Sequence, residues 1–200
     1  MIQSSMFVKI SRSLALLGLL FCLACETTGL TPAPELAAGE AALNVDGDND
    51  TAPFLAAGNY EAGVRFSASQ LGNYVGGELV RIQYYMANRP GSATLRIYED
   101  SGADGPGNLL YSQGITSEIV ANTWNEHTLD VPFTLGDKDL WITLVMNLTQ
   151  GDQTLGCDPG PNVNGGDLLF DSADGLWESL LDRSNGEVNI NWNLRAVVKL

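Results

Sequence analysis

The chain has 200 residues, 44% of them hydrophobic, with 24 acidic and 10 basic side chains and a formal net charge of −14. A balance this acidic repels a phosphate backbone, which excludes nucleic acid as a partner. The apolar share excludes a disordered acidic tail and supplies enough side chains for one packed core.

Lys9 and Arg12 precede an apolar run from Leu14 to Ala24, followed by Cys25 and small or polar residues. The run is shorter than the twenty or so residues a membrane span needs, so residues 1–24 read as a signal peptide. The stretch Leu20-Phe21-Cys22-Leu23-Ala24-Cys25 resembles the lipobox of bacterial lipoproteins, with Cys22 standing where an aliphatic residue is usual. That resemblance implies lipidation of Cys25, whose several acyl chains would hold the protein on a membrane. Glu26, not Asp, follows the cysteine, which by the same resemblance favours the outer membrane of the bacterial envelope. Cleavage to an ordinary secreted protein is the alternative. Either way Cys157 is left without an intrachain partner, so stability must come from burial rather than from a disulfide.

Residues 25–57 combine Thr-Pro-Ala-Pro, an Ala/Glu-rich patch and the acids Asp46 to Asp50 without a sustained period, and are expected to be a flexible acidic tether. From residue 58 to residue 200 short alternating segments are separated by Gly, Asn, Asp and Pro, which predicts about eight strands. Val80, Ile82, Tyr84 and Met86 share one parity, and Ala93, Leu95 and Ile97 share another. The loop EDSGADGPGNL then leads into a strand over Leu109–Gln113. Leu129, Val131, Phe133 and Leu135 form the next face, with Pro132 marking an edge or bend. Leu140–Leu148 is the most apolar strand and is expected at the centre of a sheet. Gln150–Gly166 reads as surface loop, and Leu168–Phe170 with Leu176–Leu180 as a hairpin. Asn189–Leu200 puts Ile190, Trp192, Leu194, Ala196, Val198 and Leu200 on one buried face. Helical periodicity is absent, so the expected fold is all-β, a single-domain antiparallel sandwich of two sheets, jelly-roll-like.

Taken in order, IYEDSGADGPGNLLYSQ, TWNEHTLDVPFTL, DKDLWITL, GCDPGPNVNGGDLLF, DGLWESL and NWNLRAVV resemble the jelly-roll domains of the gingipain or cleaved-adhesin type, attached to secreted bacterial peptidases and surface proteins. The likeness spans residues 60–200. It implies adhesion or substrate proximity and not catalysis, and calcium held at loop carboxylates, with no particular ligand set. Here the domain is expected to stand alone behind the leader, so that the lipid does the anchoring.

Asp46, Asp48 and Asp50 have the alternate spacing that can turn carboxylates toward one hard cation, and calcium is the ion such a site would take. A helix–loop–helix calcium loop is excluded, because Thr51 and Ala57 occupy the positions that need Gly and a bidentate Glu. Trp124 and Trp177 lie beside turns and could stack on a sugar, with Asp158, Asn162 and Asn164 as polar neighbours; the alternative for each tryptophan is packing. His127 is the single histidine, and no metal helix or nucleophile elbow accompanies it. Cys157 has no basic neighbour to activate it. No cofactor is required. The expected function is an adhesin-like, non-catalytic envelope module for a glycan or an extracellular protein. The alternative is a structural lipoprotein that docks a partner envelope protein, and a hydrolase ranks last. A concave aromatic and carboxylate patch beside residues 150–166 would favour the first, and an unprotected sheet edge the second.

Overall fold

The computed structural model describes residues 31–102 and 105–200. In chain order these form β1 (Glu40–Leu43), β2 (Phe54–Leu55), β3 (Gly58–Phe66), α1 (Ala68–Leu71), β4 (Glu78–Met86), β5 (Ser92–Gly102), β6 (Gly105–Gly114), β7 (Thr123–Thr134), β8 (Leu140–Leu148), β9 (Asp152–Gln153), β10 (Leu168–Asp171), β11 (Leu176–Ser179), α2 (Leu180–Arg183) and β12 (Leu194–Lys199). One sheet has the order β1-β12-β4-β7 and the other β11-β10-β3-β8-β5-β6, with β2 and β9 as a small separate pair. Every strand pair is antiparallel. The fold is all-β, as the alternation predicts.

The core lies between the two sheets. From β8 it takes Leu140, Ile142, Leu144, Met146 and Leu148, none more than 3% exposed, and β8 sits between β3 and β5 as expected of the most apolar strand. Trimming Ile142 or Leu144 to alanine in such a site costs about 2–5 kcal/mol. Tyr60, Ala62, Val64 and Phe66 of β3 face the same interior, opposite Ile82, Tyr84 and Met86 of β4.

Two strands depart from simple alternation. On β4 the buried residue is Leu79 instead of Val80, because the partners along β7 jump from Phe133 opposite Leu79 to Thr128 opposite Arg81. The extra length of β7 bulges outward around Pro132, and Val131, expected on the buried face, is 74% exposed. On β6 a register shift between Ile97 and Tyr98 leaves Leu110 without a partner on β5. The four edges of the two large sheets are therefore blunted among the described residues, β1 and β11 by having 4 residues each and β6 and β7 by bulges.

Three connectors or ends read from sequence need correction. The tether expected over 25–57 is, in its described part, built into the fold: β1 pairs with β12, and Leu43 and Asp46 are buried. The stretch shows no period because its strands, Glu40–Leu43 and Phe54–Leu55, are short and the segment between them is held through polar side chains such as Asp46. Gln150–Gly166 is not simply surface, since Thr154, Leu155, Cys157 and Asp158 are buried and Cys157 bridges to both Thr51 and Trp192. The last strand begins at Leu194, while Trp192 is 1% and Leu200 68% exposed. The leader 1–24 and Cys25 lie outside the described residues.

Candidate functional site

The polar parity of the C-terminal segment does not face water. Asn191 and Asn193 are 1% and 0% exposed, and together with Arg195 they clamp two aspartates from the segments that read as connectors. Asp46 accepts from Arg195 Nε at 2.9 Å through both oxygens, from Asn193 Nδ2 at 2.7 Å and from Asn44 Nδ2 at 3.1 Å. Burial pushes the Asp46 carboxyl up from its ordinary range, against the pull of Arg195 and the two amides. Asp158 has no cationic partner among the described residues. Its oxygens accept from the backbone N–H groups of Gly47 at 2.8 Å, Gly160 at 2.9 Å and Asn191 at 2.8 Å, and from Asn191 Nδ2 at 3.1 and 3.2 Å. These clamps fix the strap over residues 46–51, and the Thr51–Cys157 bridge continues it across the end of the sandwich.

Two cavities flank that strap and share Asp50 and Thr51 in their linings. The first, about 350 Å³, is lined by Asn49, Asn88, Asn122, Gln153 and Tyr85 among others. The protein engages one end of several of these side chains, and the other end has no partner among the described residues. Asn88 Nδ2 donates to Asp152 Oδ1 at 2.8 Å and to the Gln153 carbonyl at 3.0 Å. Gln153 Nε2 donates to the Ala52 carbonyl at 2.6 Å, and Asn122 Oδ1 accepts from the Tyr85 hydroxyl at 3.0 Å. Asn122 adopts φ 58°, a left-handed conformation that Asn tolerates. Asn49 is 4% exposed and its Oδ1 has no partner among the described residues. That oxygen lies where a Cβ on residue 156 would have to sit, which only Gly156 permits.

The second cavity, about 500 Å³, has Pro53, Phe54, Leu55, Leu180, Val188 and Ile190 in its walls, with the acids Asp50, Asp158 and Glu187. Cys157 also lines it. Desolvation pushes that thiol up to about 12, helped by Asp158 and Asp50, so it is protonated and unreactive at neutral pH.

The residues nominated from sequence are not brought together. Asp46 is taken up by Arg195, Asp48 and Asp50 are exposed, and among the described residues no group of three or more His, Cys, Asp or Glu could hold a metal ion. Trp124 on β7 donates to the Thr31 carbonyl at 3.0 Å, and the Arg195 guanidinium covers its ring at 4.7 Å. Trp177 belongs to the other sheet, packed edge-on to Trp141 at 5.5 Å and beside Phe170 at 5.7 Å. Asn162 binds its backbone N–H and amide to the 189–190 segment. Asn164 is exposed. Asp158 is the one nominee of the ligand set that lines a cavity, and Asp50, nominated for metal, lines both. Sequence reading misses Tyr85, Asn88, Asn122 and Gln153. They come from three separate stretches of the chain, and no local pattern joins them.

His127 links the two sheets. Its Nε2 lies 2.7 Å from the Tyr111 hydroxyl on β6, and its Nδ1 lies 2.7 Å from Glu118 Oε2. A carboxylate–imidazole–hydroxyl chain has the order of a nucleophile relay, but here the histidine is buried and ties residues of the two sheets together. That is how a core histidine is satisfied.

No protein-family model and no curated protein matches the chain. Two solved structures are similar to it. The clostridial cysteine protease Cwp84 after propeptide cleavage aligns with a TM-score of 0.57 at 11% identity, over 83% of this chain and 41% of that one. The cysteine protease and lectin-like domains of Cwp84, a surface layer associated protein of Clostridium difficile, align with a TM-score of 0.51 at 11% identity, over 83% and 37%. The chain thus spans about two fifths of their length. At this identity the likeness shows a shared β-sandwich fold, one found in a bacterial surface protein.

Proposed function

We propose that the chain is a non-catalytic, adhesin-like binding module of the bacterial cell envelope that holds a glycan in the 350 Å³ amide-lined cavity. The observation that carries this reading is the state of the amides. Asn88 is fixed through its Nδ2 by two protein hydrogen bonds and Asn122 and Gln153 by one each, and the other end of each amide has no partner among the described residues. The spare ends are the Oδ1 of Asn88, the Oε1 of Gln153 and the Nδ2 of Asn122, acceptors and a donor that suit the hydroxyls of a sugar, and pre-orientation lowers the entropy lost on binding. The lectin-like domain named in the similar surface protein supports the same reading, as does the sequence likeness to cleaved-adhesin domains. The blunted sheet edges weigh against a partner that adds a strand.

Anchoring through a lipid on Cys25, with the outer membrane favoured, belongs to this proposal, and calcium has no role in it. On a glycan array the protein is expected to retain at least one glycan class, equally with and without a chelator, and Asn88→Ala is expected to lose it. Absence of binding to every glycan would overturn the reading. Palmitate labelling that persists in Cys25→Ala would end the anchor.

A further inference from the structure

The second cavity has a different chemistry. Phe54 is 68% exposed although it belongs to a strand. The tip of its ring rests against Gly151, where a Cβ would collide with it, and the rest of the ring stays open to the cavity. Val188, Ile190, Leu55 and Leu180 continue an apolar wall from it. The wall also carries carboxylates but no Lys, Arg or His. Asp158 is saturated by the donors already described, whereas the side chains of Asp50 and Glu187 are exposed and have no ion-pair or hydrogen-bond partner among the described residues. Arg183, on the adjoining α2, is engaged with Asp174 and Glu178.

An aromatic face, an apolar wall and two unpaired carboxylates in one cavity select a cation that brings its own apolar surface. A metal ion needs converging oxygens, and these acids do not form such a group. An alkylammonium meets each feature: its charge meets Asp50 and Glu187, its methylenes lie on Val188 and Ile190, and the ring face of Phe54 attracts the positive end. We infer that the 500 Å³ cavity is a binding site for an ammonium group on an apolar stem, of the kind a lysine side chain carries. The site lies across the strap from the amide-lined cavity, with which it shares Asp50 and Thr51, and goes beyond the glycan reading.

The probe is Nα-acetyl-lysine N-methylamide, added to the ¹⁵N-labelled full chain, with its Nε-acetylated analogue and glucosamine as comparators. The lysine derivative should shift the amide signals of Leu55 and of residues 187–190, with an affinity of about millimolar. Acetylation of the amine should weaken it by about tenfold, the loss expected when a cation–π contact and an ion pair are removed together. Glu187→Gln and Phe54→Ala should each reduce binding several-fold. Both residues are exposed, so their thermal midpoints should stay close to the parent. Selective shifts with the lysine derivative assign a peptide source for the amine, and equal shifts with glucosamine assign an amino-sugar source. Equal binding of the acetylated analogue, or no shift in this segment with either amine, overturns the inference. Phe54→Ala should keep its glycan on the array, so that failure of this site and failure of the glycan reading are told apart.

Discussion

Asp46 and Asp158 do the same structural work by opposite means. Each ties a segment without regular alternation to the polar face of the C-terminal segment, yet Asp46 is neutralised by Arg195 while Asp158 is satisfied wholly by neutral N–H donors. A buried carboxylate thus does not require a cation. It requires its lone pairs to be filled, and backbone donors held in a turn can do that.

The difference predicts how each clamp breaks. Asp46→Asn leaves the Arg195 guanidinium, 12% exposed, without its counter-charge. The expected loss is about 3 kcal/mol, seen as a drop in the urea midpoint, and combining it with Arg195→Met should recover most of that loss. Asp158→Asn turns one acceptor into a donor facing backbone N–H groups. It should cost about 2 kcal/mol with no charge partner whose removal rescues it. A rescue by Arg195→Met in the Asp158 background would erase the distinction.

The acid limb of stability sharpens the same contrast. Glu40 is held below its ordinary range chiefly by hydrogen bonds from Arg81, at 2.6 Å to both oxygens. A lowered folded value means stability that is present above the unfolded carboxylate range and lost as pH falls through the folded value. Asp46, raised by burial, runs the other way and releases no stability on acidification. Glu40→Gln should therefore flatten the acid limb of the urea midpoint against pH, and Asp46→Asn should not. The alkaline limb belongs to groups raised by burial: Tyr98 and Cys157 are both pushed up to about 12, so stability should be present below their unfolded values and fall as pH rises toward 12. Alkylation of Cys157 at pH 8 should need unfolding first. The smallest expected effect is in the exposed acids of the same strap. Asp48→Asn should change stability by less than about 0.5 kcal/mol, and a larger change would mean that the strap's charge spacing matters beyond Asp46.

The apolar parity of β8, β5 and β12 was legible because a strand buried on one face repeats every second residue, and that repeat gave the sheets. What the repeat cannot carry was missed. Asp46, inside an acidic run, looks like its neighbours Asp48 and Asp50, and only the distant Arg195 and Asn193 make it a core residue. Val131 fits its parity and is still exposed, because a bulge changes which residues oppose one another without changing the composition. The cavities were invisible for the same reason: Asn88, Asn122 and Gln153 are unrelated polar residues along the chain until the fold sets them around one space, and Phe54 lies in a stretch that reads as linker.

The bond from Asn193 to Asp46 joins residues 147 positions apart, and β1 pairs with β12. Contacts that distant are entropically late, and long-range pairing of this kind slows folding. A ribosome or a translocon delivering this chain from its N-terminus would release the strap long before its clamp existed. The walls of both cavities would then be the last part of the molecule to form, so binding competence and completed folding would arrive together, and a chain stalled short of Asn193 would present a sheet with no pocket.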